Sequence, residues 1–246
     1  MTFYSTLSTY YEEIFPYSEA CGELLVTLLE KDQPMLDAGC GTAALVRNLR
    51  QKGIDARGFD LDREMIKLAG EYLLEELPGD SVNKGDVFRQ GDLLSLDTVF
   101  PEKKFNLISC IGNTMAHIPR EGLKVFLDSV FKMLHPGGYL ILQTLNYRNA
   151  GFAGLPFPDI ETPHCLFKRQ YREDDTGNAL LFETELTDLA SAKSFKYSTK
   201  HFPSSQEELK LLLKERGFIG LEFFGSWKKD PVSLHLLPLI IKATRP

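Results

Sequence analysis

Two glycines flank a cysteine in the run Leu36-Asp37-Ala38-Gly39-Cys40-Gly41-Thr42. Glycines at 39 and 41 let a chain leave a strand by a tight turn and bring its backbone amides against a ligand. The pair alone fits a plain tight turn equally well. With Ala44 in the third position of G-x-G-x-x-G/A it also fits a dinucleotide site. A second signal is Gly58-Phe59-Asp60, whose carboxylate follows Gly41 by 19 residues. A carboxylate there can accept hydrogen bonds from two ribose hydroxyls, so it points to a nucleoside-containing ligand; otherwise it is a helix-start aspartate. The third is Gln90-Gly91-Asp92-Leu93. Asp92 can accept from an adenine amino group and Leu93 can pack on the ring, or the pair can form a surface turn.

These residues need strand ends to hold them, and the hydrophobic pattern supplies strands at the right places. Met35 to Ala38, Ile54 to Asp60, Val87 to Gln90, Phe105 to Ile111 and Tyr139 to Thr144 read as short buried strands. Helical spacing fills the intervals. Leu24, Leu25, Leu28 and Leu29 imply a helix from Ser18 to Lys31. Leu45, Val46 and Leu49 imply a second, ending near Gly53. A third starts at Asp62 as its cap and stops before Pro78. A fourth starts near Pro119 and carries Leu123, Phe126, Leu127, Val130 and Leu134. Strand and helix in alternation mean a parallel sheet covered on both faces.

The alternation breaks after Asn146. Residues 147–164 read as loop, followed by three β-like runs, Leu166 to Arg172, Leu180 to Leu186 and Ser194 to Phe202. Asp174 to Asn178 makes a turn between the first two. Ser205 with Glu208 forms a capping box for a last helix, and Phe218–Trp227 with Leu234–Thr244 form a final antiparallel pair. The expected organisation is one domain, 1–246. It has a lead-in (1–17), a core (18–146 and 204–246) and an antiparallel flap over the active site (147–203).

The three glycine- and aspartate-bearing motifs, with Asp37 beside the first and His135-Pro136-Gly137-Gly138 before the fifth strand, resemble the class I S-adenosylmethionine-dependent methyltransferases. The resemblance implies a Rossmann-like α/β fold. Its seven-stranded, mostly parallel sheet has an antiparallel last strand and helices on both faces. It also implies S-adenosylmethionine as cofactor. Carried over, Asp37, Ala38, Gly39, Cys40 and Gly41 line the methionine part. Asp60 holds the ribose. Leu61, Asp92 and Leu93 frame the adenine, Cys110, Ile111 and Gly112 pass beside the sulfonium, and Met65 and Gly91 are further cofactor-binding candidates. Cys110-Ile111-Gly112-Asn113-Thr114-Met115-Ala116-His117 and Thr144-Leu145-Asn146-Tyr147 are similar to segments of the glycine and sarcosine N-methyltransferase branch. That branch carries an arginine for the substrate carboxylate where this chain has Leu145, which argues against glycine itself as acceptor. Tyr10 and Tyr11 resemble a lead-in that folds over the cofactor, with Tyr11 against it; ordinary packing on the first helix is the alternative. His117 and Asn113 are the candidate acceptor-orienting or basic residues, and a backbone-bonded loop histidine is the competing reading of His117.

Bulk properties narrow the partners. A net charge of −6, with basic clusters no longer than Lys103-Lys104 and Lys228-Lys229, disfavours nucleic acid. The lack of an N-P-P-Y or D-P-P-Y run disfavours base-amino methylation. Cys21, Cys40, Cys110 and Cys165 lie far apart without C-x-x-C pairing. They imply neither zinc nor a disulfide scaffold, and they suit the cytoplasm. No apolar run is long enough to span a membrane. The expected activity is methyl transfer to a small-molecule acceptor, an amine among the candidates. Two rival readings stand beside it: a non-catalytic S-adenosylmethionine-binding module and an NAD-dependent oxidoreductase. The pattern leaves the oligomeric state open.

Overall fold

The computed structural model describes residues 7–78, 83–101, 103–147 and 157–246. Seven strands form the central sheet: β1 (Met35–Ala38), β2 (Ala56–Asp60), β3 (Phe88–Gln90), β4 (Phe105–Cys110), β5 (Leu134–Leu145), β10 (Ile219–Phe224) and β11 (Pro238–Thr244). Their spatial order is β10-β11-β5-β4-β1-β2-β3. β11 is antiparallel to both neighbours, and the pairings among β1 to β5 are parallel. The sheet expected from the sequence, with its last strand reversed, is therefore the one observed.

Side chains alternate across this sheet with period two and are buried on both faces. Leu36, Ile108, Leu140 and Ile241 pack with α4 (Arg120–Met133) and α5 (Gln206–Glu215) through Phe126, Leu127 and Leu213. Met35, Leu107, Ile141 and Ile240 face the opposite way. They meet α1 (Glu19–Val26), α2 (Ala44–Gln51) and α3 (Arg63–Glu76) through Leu25, Val46, Leu49 and Leu73. Asp62 caps α3 by accepting from Glu64 N (2.9 Å) and Met65 N (3.2 Å), and Ser205 and Glu208 close the capping box of α5. The switch from strand to helix thus falls where the sequence placed it.

Several boundaries differ. α1 stops at Val26, not Lys31: Thr27 turns its hydroxyl back to Leu24 O (2.7 Å), and the chain continues in tighter i→i−3 turns at Leu28 and Leu29. Val87 closes a short helical turn, Lys84–Val87, so β3 begins at Phe88. β5 starts at Leu134. Phe105 pairs with Leu134 and Leu107 with Tyr139, so the Pro136-Gly137-Gly138 stretch bulges within the strand instead of preceding it. The final antiparallel pair is shorter than expected, because Ser226 Oγ accepts from Lys228 N (3.1 Å) and turns the chain early.

The second sheet is four-stranded and antiparallel, in the order β6 (Ile160–Glu161), β7 (Cys165–Glu173), β8 (Leu180–Asp188), β9 (Ser194–His201). β6 lies in the stretch expected as loop and is too short to show periodicity. Phe167, Tyr171, Phe182 and Leu186 from β7 and β8 form a third apolar cluster with Leu7 and Ile14 of the lead-in. The flap and the lead-in therefore share one core.

Candidate active site

The glycine-rich turn after β1 is held from two sides. Gly39 N and Cys40 N both donate to Phe59 O at 2.9 Å, and Gly41 N donates to Asp60 Oδ2 at 2.9 Å. Gly39 (φ 78°) and Gly41 (φ 56°) occupy the left-handed region. A Cβ on Gly39 would lie 2.4 Å from Thr114 Cγ2, and one on Gly41 would lie 2.9 Å from the Tyr11 ring. Asp60 Oδ1 accepts from Asp62 N at 2.9 Å. Asp60 thus fastens the turn after β1 to the turn after β2. A carboxylate has about four lone-pair sites, so the group retains acceptor capacity toward a ligand. Burial raises its pKa, while the amides of Asp62 and Gly41 oppose that shift.

Beside this turn lies a cavity of 570 Å³. Tyr11, Gly39, Gly41, Asp60, Leu61 and Met65 form one part of its wall. Gly91, Asp92 and Leu93 form the next, then Gly112, Thr114 and His117, and finally Tyr197, Ser198 and Thr199 from β9. The remaining candidate residues lie behind this wall. Asp37, Ala38 and Cys110 are buried in the sheet. Asp37 accepts from Ser109 Oγ at 2.6 Å. Burial, with the nearby charge of Asp60, pushes its pKa up to about 7 against the lowering effect of that hydrogen bond. The Cys40 side chain turns toward Gly58, where a Cβ would lie 2.8 Å from its sulfur. Ile111 packs into the α1–α3 side of the core, and Asn113 is buried in a polar network. Asp92 Oδ1 caps the turn Leu93–Ser95 through Leu94 N (2.9 Å).

Three carboxylates, Asp60, Asp62 and Asp92, line the cavity, and among the described residues no lysine or arginine does. Such a wall favours a ligand with positive centres over one with phosphates.

Residues 11–222 match the family described as methyltransferase domain. The chain belongs to that family. It is 28% identical over 113 residues to the ubiquinone biosynthesis O-methyltransferase of Psychrobacter cryohalolentis, and 27% identical over 119 residues to the glycine N-methyltransferase of Rattus norvegicus. Each match covers 46% of this chain and 40% of the relative, so the similar region spans less than half of those proteins. A crystal structure of an S-adenosylmethionine-dependent methyltransferase from Clostridium acetobutylicum superposes with a TM-score of 0.80 at 16% identity, covering 99% of each chain. That likeness extends the shared fold over the flap.

At the far end of the methyltransferase cavity, Gly112 (φ 71°) and Asn113 (φ 63°) carry the chain out of β4 in left-handed conformation. Leu145 N donates to Asn113 Oδ1 (3.1 Å), which fixes the amide's orientation, since a backbone N–H can only donate. Asn113 Nδ2 then faces Tyr147 Oη (2.9 Å) and His201 Nδ1 (3.4 Å). His201 thus accepts on Nδ1 and carries its proton on Nε2. The His201 and His117 rings stand edge to face, 4.4 Å apart. Burial lowers the His117 pKa to about 4, and burial together with His117 lowers that of His201 to about 3. Both imidazoles are neutral at pH 7. The flap is tied here as well, by Phe202 N donating to Ala116 O (2.7 Å). The sequence reading gave His201 no role; 84 residues separate it from His117, and only the topology brings them together.

Tyr11 is held over Gly41 by an anchor that the sequence reading missed. Glu12 accepts from Arg47 Nη2 on both oxygens (3.0 Å each) and from Thr42 Oγ1 (2.7 Å). Arg47 is buried, donates through Nε to Glu76 (2.9 Å) and also bonds the Thr42 carbonyl. Substituting Glu12→Ala removes one of two carboxylates from a buried guanidinium. We expect destabilisation of about 1–3 kcal/mol, read by urea denaturation. Stability within ~0.3 kcal/mol of the parent would show that the anchor carries little weight.

Proposed function

We propose that this protein transfers a methyl group from S-adenosylmethionine to a small-molecule acceptor, at an amine nitrogen. The observation that carries the reading is the cavity's charge. Asp60, Asp62 and Asp92 line it with no described lysine or arginine, which suits a ligand with a sulfonium and an ammonium and opposes the pyrophosphate of NAD. Asp60 is the ribose anchor in this reading, Asp92 and Leu93 serve the adenine, and the turn at Gly39–Gly41 serves the methionine moiety. The net charge of −6 and the flap roof support a small acceptor over a nucleic acid, and the four free cysteines support a reducing, cytoplasmic setting. Among the described residues no helix is long and apolar enough to cross a membrane.

When bound, S-adenosylmethionine supplies an activated methyl group on sulfur. The chain's own contribution is position. Gly112 and Thr114 bound the cavity where β4 ends. His117 lines the cavity beside them, and Tyr197, Ser198 and Thr199 of β9 line it as well. An attacking nitrogen uses its lone pair to form the new N–C bond while the S–C bond breaks toward sulfur. The proton is lost afterwards, so no strong base is required, and proximity provides most of the acceleration. His117 suits this task because a neutral imidazole with a pKa near 4 is a weak base but a competent hydrogen-bond acceptor. The curated relatives include both an O- and an N-methyltransferase, so the choice of nitrogen rests on this histidine.

Two measurements test the reading. Calorimetric titration should show binding of S-adenosylmethionine and none of NAD. A screen of amines, acids and phenols should then release S-adenosylhomocysteine with an amine. With that amine, His117→Ala should lower turnover by less than about tenfold, and kcat/KM should rise with pH as the amine loses its own proton. A histidine with a depressed pKa is already deprotonated above about pH 4, so it adds no inflection between pH 5 and 8. A loss of 10²–10⁴-fold, as for a general base, would instead assign methylation to oxygen or carbon.

A further inference from the structure

Neighbouring residues of a strand point to opposite faces, so three in a row line one cavity only where it meets the strand's main chain. Tyr197, Ser198 and Thr199 of β9 do so. β9 is the outer strand of the flap sheet, and one of its edges has no neighbouring strand. The ladder fixes which groups occupy that edge. Asp188 N donates to Lys193 O at 2.9 Å, in the same register that pairs Leu186 with Phe195, Thr184 with Tyr197 and Phe182 with Thr199. Hydrogen-bonded and non-bonded pairs alternate along an antiparallel ladder. The odd-numbered residues of β9 therefore turn their N–H and C=O to β8, and the even-numbered ones aim both groups outward. Two further bonds agree with this phase. Leu189 N donates to His164 O (2.9 Å), so the odd-numbered positions of β8 serve β7 and leave the even-numbered ones for β9. Phe202 N, at the first even position past β9, donates outward to Ala116 O. That bond seats the edge against the turn Thr114–His117. Four residues back, the outward N–H and C=O of Ser198 face the cavity that Ser198 lines.

A donor and an acceptor aimed the same way from one residue match one kind of partner. It is a unit –NH–CHR–CO–, whose N–H donates to Ser198 O while its C=O accepts from Ser198 N. The surroundings suit such a neutral unit. Leu94, Ile118 and Pro119 add apolar wall to the same cavity, and with no lysine or arginine among its described residues a carboxylate or phosphate finds no counter-charge there. We propose that the free edge of β9 at Ser198 holds a peptide-like unit of the methyl acceptor. The substrate is then an amine joined to a neutral secondary amide, as in a dipeptide amide. This rests on the methyl-transfer reading and narrows its substrate class. The acidic wall of Asp60, Asp62 and Asp92 serves the positive centres of the ligands, and the strand edge serves the amide.

The two bonds of the pair can be removed separately. Glycylglycinamide, leucylglycinamide and phenylalanylglycinamide are titrated beside analogues in which an ester oxygen replaces the central N–H. In the parent at least one amide should bind about fivefold or more tightly than its ester. Ser198→Pro removes the outward N–H, at a position where an edge strand tolerates proline. It should weaken that amide about fivefold as well. Phenethylamine carries no such unit and should bind the parent and Ser198→Pro alike. Lys196→Pro, at the next outward position and outside the cavity wall, should leave the amide's affinity intact. Titrations run with and without S-adenosylhomocysteine, so failure of the cofactor to bind is seen apart from failure of the amide. The proposal is overturned if no amide outbinds its ester, or if a folded Ser198→Pro protein binds the amides as the parent does. It is overturned too if Ser198→Pro weakens phenethylamine equally, because the cavity itself is then distorted. A parent dimer that Ser198→Pro dissociates, with amide and ester bound alike, would give the edge to a second copy of the chain. The amide–ester comparison on the parent decides the matter even if the proline variant does not fold.

Discussion

Substituting Asp60→Ala should weaken S-adenosylmethionine binding by about a hundredfold. Removing a charge-assisted acceptor for the ribose costs about 1.5–3 kcal/mol. The structure adds to that loss, because Oδ2 also takes Gly41 N and Oδ1 takes Asp62 N, each at 2.9 Å. Without the carboxylate the glycine-rich turn is no longer fastened to the end of β2, and cofactor and loop lose order together. A total near 3 kcal/mol corresponds to roughly two decades in Kd. Asp60→Asn should fall almost as far. Its single carbonyl oxygen serves one of the two amides, and its NH2 group confronts the other donor. Calorimetric titration of variants with parent-like circular dichroism reads the effect. An affinity within threefold of the parent in the alanine variant would sink the ribose assignment.

Gly39→Ala should be the most damaging single-methyl change in the site. Its φ of 78° costs an alanine about 1–2 kcal/mol, and the new Cβ would lie 2.4 Å from Thr114 Cγ2. Relieving that contact adds an overpacking cost of about 1–3 kcal/mol. The two costs can be separated. Thr114→Ser deletes Cγ2 but keeps the hydroxyl that donates to Ile111 O at 2.7 Å. In the Gly39→Ala background it should therefore recover the steric part and leave the backbone part. Urea midpoints of the two single variants and the double variant measure this directly. If Thr114→Ser gives no recovery, the turn after β1 and the turn after β4 are not in contact as described.

The residues legible in sequence were those whose role follows from backbone geometry. Gly39, Gly41 and Gly91 were found because turns at strand ends demand them, and Asp62 and Ser205 because a cap precedes a helical pattern. The parallel core was legible for the same reason: Leu36, Ile108 and Leu140 sit in short apolar runs between helical intervals. Side-chain direction was not legible. Asp37 and Cys110 stand in the same motifs as Gly39 and Gly112, yet they point into the sheet. Contacts across long sequence separations were hidden as well. Nothing local in Glu12 or Arg47 announces their pairing, and His201 acquires its place only because β9 returns the chain to the turn at Thr114–His117. β6 was missed because two residues carry no period. Phe152, an aromatic that the sequence offers for lining an acceptor pocket beneath the flap, lies outside the described residues.

The position of β11 bears on how the protein is made. It is the last strand of the sheet to be synthesised, yet it belongs between β5 and β10. A ribosome must therefore release residues 238–244 before β5 gains its outer neighbour. Until then Leu140, Ile141 and Leu142 border an open, apolar strand edge of the kind that pairs with other chains. Vectorial synthesis can complete strands β1 to β3 early, but closure of the sheet waits for residues 238–244. A chain stalled or cut before Pro238 would be a substrate for chaperones rather than a smaller working enzyme.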